Sequence, residues 1–264
     1  MNEETPVQGE SWMSRVGRWL LPLGLIGLLL LAWEFWVRWR DTPQWYLPAP
    51  SAVWHALVDN WQSIRSDAWV TLQEVLVGFG VAVLVAIPVA VAIERVTVLE
   101  RALYPLVVAT QAIPLVALAP LLLIWFGHGI MPKVVMVALI SFFPIVVSLV
   151  DGLRSADRET LDLLRTMGAN GWQQFRLVEA PSALPAFFSG AKIGMAVAVI
   201  GAVIGESAGS SAGLGHAISL YSASLKTDLV FACVLVLALM AIGLFGAIAV
   251  LERVAMPWRK WVVE

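Results

Sequence analysis

Long apolar stretches alternate with short polar segments along this chain, and six of the stretches are long enough to cross a bilayer as helices. A hydrocarbon core about 30 Å thick needs about 20 apolar residues in helical conformation. The stretches are runs of Leu, Val, Ala and Ile without strict apolar and polar alternation, which favours helices over a transmembrane β-barrel. The predicted spans are residues 20–37, 71–93, 103–126, 134–150, 187–207 and 229–251.

The amino-acid composition indicates an integral membrane protein. Of the 264 residues, 59% are hydrophobic and only 14% are charged, values outside the range of soluble domains. We therefore predict an all-α membrane protein with one domain of six transmembrane helices over residues 19–252. The net charge of −2 says little about partners, because the placement of basic residues matters more in a membrane protein than their sum.

The positions of the basic residues predict how the helices are oriented. If the N-terminus is cytoplasmic, more Arg and Lys residues fall on cytoplasmic segments than on external ones. This distribution predicts a cytoplasmic N-terminal segment at residues 1–18 and a cytoplasmic C-terminal tail at residues 253–264. It also places the connection between the fourth and fifth spans in the cytoplasm.

Tryptophans crowd the exit of the first span and the segment after it, as expected for residues at the headgroup level. In that segment, residues 51–64 are predicted to form a short helix on the outer membrane surface. Ser51 is the predicted N-cap of this helix, and Val53, Trp54 and Leu57 are predicted to share one face.

The connection between the fourth and fifth spans is a charged segment, residues 157–185, with the sequence DRETLDLLRTMGANGWQQFRLVEAPSALP. Charges are costly in hydrocarbon, so this segment is predicted to lie in water. Gly168 is predicted to end a first short helix. Asn170 is placed to cap a second one, with Gln173 positioned to reach back to it.

Two prolines, Pro181 and Pro185, are predicted to end the second short helix. The resulting helix pair, at about residues 157–181, offers a charged surface to the cytoplasm. Such a surface can insert into a groove on a partner and pass movement across the contact. The alternative is a solvated loop without a partner.

Three polar residues in the predicted spans are candidates for a translocation pathway: Gln111, Ser141 and Glu206. A buried amide needs partners, so Gln111 either faces a pore or bonds to a neighbouring helix. Glu206 is predicted to be the one acid deep in the membrane, in a Gly-rich and Ser-rich stretch. Its alternative interpretation is a carboxylate at a helix end, in reach of water.

The sequence predicts no catalytic or metal site. Cys233 is the single cysteine and lies in an apolar span, so no disulfide or metal cluster is expected. The chain lacks the G-x-x-x-x-G-K-[ST] pattern, so any ATP chemistry must come from a partner. Ser211 stands in a G-x-S-x-G pattern with His216 downstream, which leaves an intramembrane serine hydrolase as one alternative. An ion-driven secondary transporter is another, although it would need intramembrane acids and inverted repeats.

The segment DLLRTMGANGWQQFRLVEAP resembles the EAA loop of the permease subunits of bacterial ABC importers. That pattern runs Glu-Ala-Ala, three residues, Gly, nine residues, Ile, any residue and Leu-Pro. Asp162 and Leu163 stand at its first two positions, and Gly168 matches its glycine. Val178 matches the isoleucine and Pro181 matches the proline. Other positions depart from the strict letters, but the helix-Gly-helix outline is kept.

The resemblance extends from about residue 71 to residue 258. The segments YPLVVATQAIPLVALAPLLLIWFGHG, FFPIVVSLVDGLRS and SALPAFFSGAKIG are similar to the sulfonate, taurine and nitrate permease family. Within that family, TQAIPLVALAPLLLIWFG and GAVIGE are similar to permeases for thiamine-pyrimidine precursors and related vitamins. The implied substrate is therefore such a compound, or a sulfonate, taurine or nitrate anion.

The resemblance implies the fold and partners of a type I ABC importer that works by alternating access in the bacterial inner membrane. Two copies of the permease would enclose the pathway, and an external binding protein would deliver the solute. Two cytoplasmic ATPase subunits would bind ATP and Mg²⁺, so this chain would hold no cofactor. The implied ATPase-coupling residues are Asp162, Leu163, Gly168, Ala169, Phe175, Val178 and Pro181.

Overall fold

The computed structural model describes residues 12–109 and 113–257, and within these ranges every regular element is helical. The first helices are α1 (Trp12–Trp39), α2 (Pro50–Asp59), α3 (Trp61–Arg95), α4 (Thr97–Ala109), α5 (Leu115–Phe126) and α6 (Met131–Arg154). Then come α7 (Arg158–Thr166), α8 (Gly171–Gln174), a π-helical turn (Phe175–Glu179), α9 (Ala180–Ser207), α10 (Leu214–Ala223) and α11 (Thr227–Ala255). The predicted all-α class is confirmed.

Four helical stretches of the described residues are long and apolar enough to cross a membrane. They are α3, α6, the continuous stretch Gly171–Ser207, and α11, and they contain the second, fourth, fifth and sixth predicted spans. The first predicted span lies within α1, a helix of 28 residues. The count of six spans is therefore matched only in part.

The third predicted span, residues 103–126, is wrong as a single helix. Helix α4 is described to Ala109, and α5 begins only at Leu115, with Pro114 as its N-cap. Ile113 and Pro114 are not helical. Proline has no backbone N–H and disfavours helical conformation in the residue before it, which explains a break at this point. The candidate Gln111 lies outside the described residues.

Helix α6 lies at the centre of the bundle, packed most extensively against α9 and α3. Small residues let these helices approach closely. A Cβ on Gly190 of α9 would lie 2.6 Å from the carbonyl oxygen of Pro144 and 2.6 Å from Cβ of Ser148, both on α6. Packing between small residues is a main source of helix association in membranes, where water exclusion gives no driving force.

The outer helix differs from its prediction at both ends. Helix α2 spans Pro50–Asp59, and its N-cap is Ala49, not Ser51. The Ser51 backbone N–H and hydroxyl instead donate to Glu34 of α1, at 3.0 and 2.8 Å. Val53 and Leu57 are buried, but Trp54 is exposed, so the predicted common face is split.

The α6–α9 contact gives a direct stability prediction. We expect Gly190→Ala to destabilise the protein by about 1–3 kcal/mol, because the added methyl overlaps backbone and side-chain atoms of α6. Gly243→Ala in α11 is the matched control, since a Cβ there meets nothing within 4 Å. Thermal unfolding in detergent measures both variants. Equal melting temperatures for the two would contradict the close packing of α6 and α9.

Candidate coupling segment and buried polar cluster

The charged connection between α6 and α9 begins with a capped helix. Asp157 is the N-cap of α7, and its carboxylate accepts hydrogen bonds from the backbone N–H groups of Glu159 and Thr160. The Thr160 hydroxyl also donates to Asp157, and this bond above all holds the pKa of the carboxyl below its usual range. None of the residues of α7 is buried. The start of α7 is thus held by its own N-cap, and the helix surface stays exposed.

The turn after α7 follows the sequence prediction closely. Gly168 has a φ of +80°, which a residue with a Cβ adopts only with strain. The N–H of Ala169 donates to the Leu164 carbonyl at 2.9 Å, closing the end of the helix. Asn170 and Gln173 then form the predicted capping box, with bonds of 2.8 and 2.9 Å in the two directions.

The predicted end of the second short helix at Pro181 and Pro185 is wrong. Helix α8 passes into the π-helical turn Phe175–Glu179 and then directly into α9. Pro181 directly follows the π-turn, where the regular i→i−4 bonding is already interrupted, and Pro185 is tolerated inside the helix. Residues 171–179 therefore form a continuous extension of α9, with a π-turn at the junction.

Arg95, at the end of α3, clamps this junction. Its guanidinium pairs with the Glu179 carboxylate at 2.6 Å, and its Cζ lies 5.2 Å from the centre of the Phe175 ring. Inside the segment, the buried Gln174 accepts from Arg165 at 3.3 Å and donates to the Ala169 carbonyl at 3.0 Å. These contacts link α7 to α8 and the π-turn to α3.

Large apolar side chains stand exposed on this otherwise charged segment. Met167 is 74% exposed and Trp172 is 67% exposed, and Leu163 and Leu177 are also exposed. The predicted coupling residues divide into two groups: Asp162, Leu163 and Gly168 are exposed, whereas Ala169, Phe175, Val178 and Pro181 are half-buried. Sequence reasoning missed Met167 and Trp172, although large apolar residues in a polar segment are a recognisable signal for a contact surface.

A second group of polar residues is buried between α3, α6 and α9. Glu206 is 0% exposed, Glu74 is 1% exposed and Lys133 is 8% exposed. The Lys133 ammonium pairs with Glu74 Oε1 at 2.7 Å, and Thr71 Oγ1 lies 2.6 Å from Glu206 Oε1. We call Thr71, Glu74, Lys133 and Glu206 the buried polar cluster.

The N-terminal turn of α10 closes onto this cluster. The Gly215 N–H donates to Glu206 Oε2 at 2.5 Å, and the Leu214 N–H donates to the Thr71 hydroxyl at 2.9 Å. The Gly213 N–H donates to the Asp67 carboxylate at 3.0 Å. Gly213 has a φ of +106°, and a Cβ there would overlap the Glu206 carboxylate. The turn requires glycine for both reasons.

Two of the predicted pathway residues, Ser141 and Glu206, are buried in helix contacts in this conformation. The Ser141 hydroxyl donates to the Gly194 carbonyl at 3.1 Å, and both residues are buried. Glu206 lies near the end of α9, as expected, but it is out of reach of water. The prediction that Glu206 is the one deep acid is wrong, because Glu74 and its partner Lys133 are buried beside it. Both could have been found, since Glu74 falls inside the second predicted span and Lys133 borders the fourth.

The G-x-S-x-G pattern does not form a nucleophile site. Ser211 is exposed, and none of the described hydrogen bonds joins it to His216. The pattern lies in a Gly-rich connection between two helices, where a nucleophile elbow needs a strand-to-helix turn.

Long apolar helices around a buried polar cluster, with an exposed charged segment on one connection, define a multi-pass membrane permease. The chain belongs to the family of binding-protein-dependent transport system inner membrane components, whose pattern matches residues 79–255. It is 39% identical to a riboflavin transport system permease protein of Chloroflexus aurantiacus, over 90% of this chain and 89% of that protein. It is 36% identical to a formylaminopyrimidine transport permease protein of Halalkalibacterium halodurans, over 94% of this chain and 99% of that protein.

A solved structure of the MetNI methionine ABC transporter has the same fold. The TM-score is 0.56, with 22% identity, over 71% of this chain and 96% of the matched chain. The chain is thus a permease subunit of an ABC importer in the inner membrane, a transport component and not an enzyme. As a member of this family it works with a separate ATPase and a solute-binding protein. These matches do not favour an ion-driven transporter or a hydrolase.

Proposed function

We propose that residues 157–181 are the surface through which a cytoplasmic ATPase moves this permease. The observation that carries the proposal is the set of exposed apolar residues, Leu163, Met167 and Trp172, on a segment fixed by its own caps. ATP and Mg²⁺ would bind on the partner ATPase. Exposed aromatic and Met side chains are typical anchors of protein contacts, and a rigid helix end transmits displacement better than a flexible loop.

The contacts of Arg95 provide a route by which movement of residues 157–181 can reach the transmembrane helices. Arg95 contacts both Phe175 and Glu179 in the π-turn, and it is the last residue of α3. A displacement of α7 and α8 would therefore reach α3 through Arg95 and α9 through the continuous backbone. Alternating access would follow from rocking of these helices against those of a second copy of the chain.

The predicted pathway roles of Gln111, Ser141 and Glu206 stay part of this proposal. In the present conformation Ser141 and Glu206 are held within the protein, so contact with a solute requires separation of the helices around them. We also propose that both termini are cytoplasmic, because the positive-inside rule and the coupling segment then agree. Lipid would cover exposed apolar residues of α11 such as Leu239, Ile242 and Val250.

We propose that the solute is a vitamin or vitamin precursor built on a nitrogen heterocycle. The two relatives described above are named for riboflavin and formylaminopyrimidine, and each aligns with about nine-tenths of this chain or more. Both solutes carry a planar nitrogen heterocycle with hydrogen-bonding groups.

The coupling role of Gly168 is testable with two substitutions. We expect Gly168→Val to keep the permease folded and inserted but to abolish solute-stimulated ATP hydrolysis, because strain of about 1–2 kcal/mol at positive φ displaces the turn. Gly168→Asn is the control, since Asn tolerates this conformation and a side chain at this position meets no atom within 4 Å. ATP hydrolysis by the reconstituted transporter measures both. Normal stimulation of the Val variant would contradict the coupling assignment.

The solute class is testable by uptake into vesicles that carry the assembled transporter with its binding protein. We expect ATP-dependent accumulation of formylaminopyrimidine or riboflavin, with no competition from taurine. A transporter without the binding protein is the control for passive entry. Accumulation of taurine, with neither heterocycle transported, would contradict the substrate proposal and leave the coupling proposal intact.

A further inference from the structure

The buried polar cluster contains more acids than bases. Glu74 and Glu206 face a single ammonium, that of Lys133, which is bonded to Glu74 Oε1 at 2.7 Å. The other oxygen of Glu74, Oε2, is buried and has no hydrogen-bond donor. Asp67 of α3 adds a further carboxylate next to the turn, and α10 contributes backbone N–H groups to the contacts described. An ionised Glu206 would thus face other anions without a cation of its own.

The hydrogen bonds of Thr71 also concern the protonation state of Glu206. The Thr71 hydroxyl lies 2.6 Å from Glu206 Oε1 and 3.2 Å from the Asp67 carbonyl oxygen, and it accepts from the Leu214 N–H. A hydroxyl carries one hydrogen, and a carbonyl oxygen can only accept. One hydrogen therefore faces two acceptors, and a proton on Glu206 would supply the second hydrogen that the two contacts need.

We propose that Glu206 is a neutral, protonated carboxyl that latches the first turn of α10 onto α3. In this state the Glu206 O–H would donate to Thr71, and the other carboxyl oxygen accepts from the Gly215 N–H. The ion pair of Lys133 with Glu74 and the neutral Glu206 then sum to no net charge, which suits a cluster buried in a membrane domain. Glu206 acts here as a positioning residue: it fixes the connection between α9 and α10, including Gly213 with its positive φ.

Two matched substitutions distinguish a protonated Glu206 from an ionised one. Glutamine has the shape of a protonated glutamate, with one donor and one acceptor. We therefore expect Glu206→Gln to keep the melting temperature of the unmodified permease. Glu74→Gln removes the counter-charge of Lys133 and leaves a buried ammonium unpaired, so we expect a clear loss of thermal stability from that variant.

Infrared spectroscopy of the folded permease in lipid tests the protonation state directly. We expect a carboxylic acid C=O band at neutral pH that disappears in Glu206→Gln. A protonated-carboxyl band that survives in Glu206→Gln, or no such band in the unmodified protein, would overturn the proposal. So would the reverse order of stability, with Glu74→Gln tolerated and Glu206→Gln unfolded, because the proton would then reside on Glu74.

Discussion

The structure depends on one constraint, the absence of water from the hydrocarbon core. There, every polar group must find its partner within the protein, and every unpaired charge is costly. This requirement leaves two places for charge in the transmembrane part of the chain. Charged residues are either buried in a cluster where they pair with one another, as Glu74 and Lys133 do, or they lie in a connection outside the hydrocarbon core, as in residues 157–181.

The same constraint explains how the helices hold together. Helices in lipid gain little from excluding water, so they associate through close packing and a few polar bonds. Helix α6 does both: it contacts α9 at Gly190 across its middle and carries Lys133 in its first turn. The polar bonds tie α3, α6, α9 and α10 at one end, and Arg95 ties α3 to the π-turn at the other end. A permease needs such separate attachments if its two ends are to move differently.

Much of this could be predicted from the sequence, because the strongest signals were local. The apolar runs gave most of the spans, and the capping box at Asn170 and the positive φ at Gly168 followed from residue chemistry alone. The failures needed tertiary information. Proline chemistry alone predicts that a helix ends at Pro181, but this residue directly follows a π-turn, where the i→i−4 bonding is already interrupted. Glu74 is visible in the sequence as an acid inside an apolar span, but its pairing with Lys133, 59 residues away along the chain, is not.

The central claim is that residues 157–181 form a cytoplasmic surface covered by the ATPase, and thiol labelling tests it most directly. Cys233 is the single cysteine and is buried, so Trp172→Cys and, on α10, Ser222→Cys introduce unique exposed thiols. With a membrane-impermeant reagent, we expect Trp172→Cys to react only in inverted vesicles and to be protected when the ATPase is bound. Ser222→Cys should react only in right-side-out vesicles. Labelling of Trp172→Cys from the outside, or equal labelling with and without the ATPase, would contradict the account.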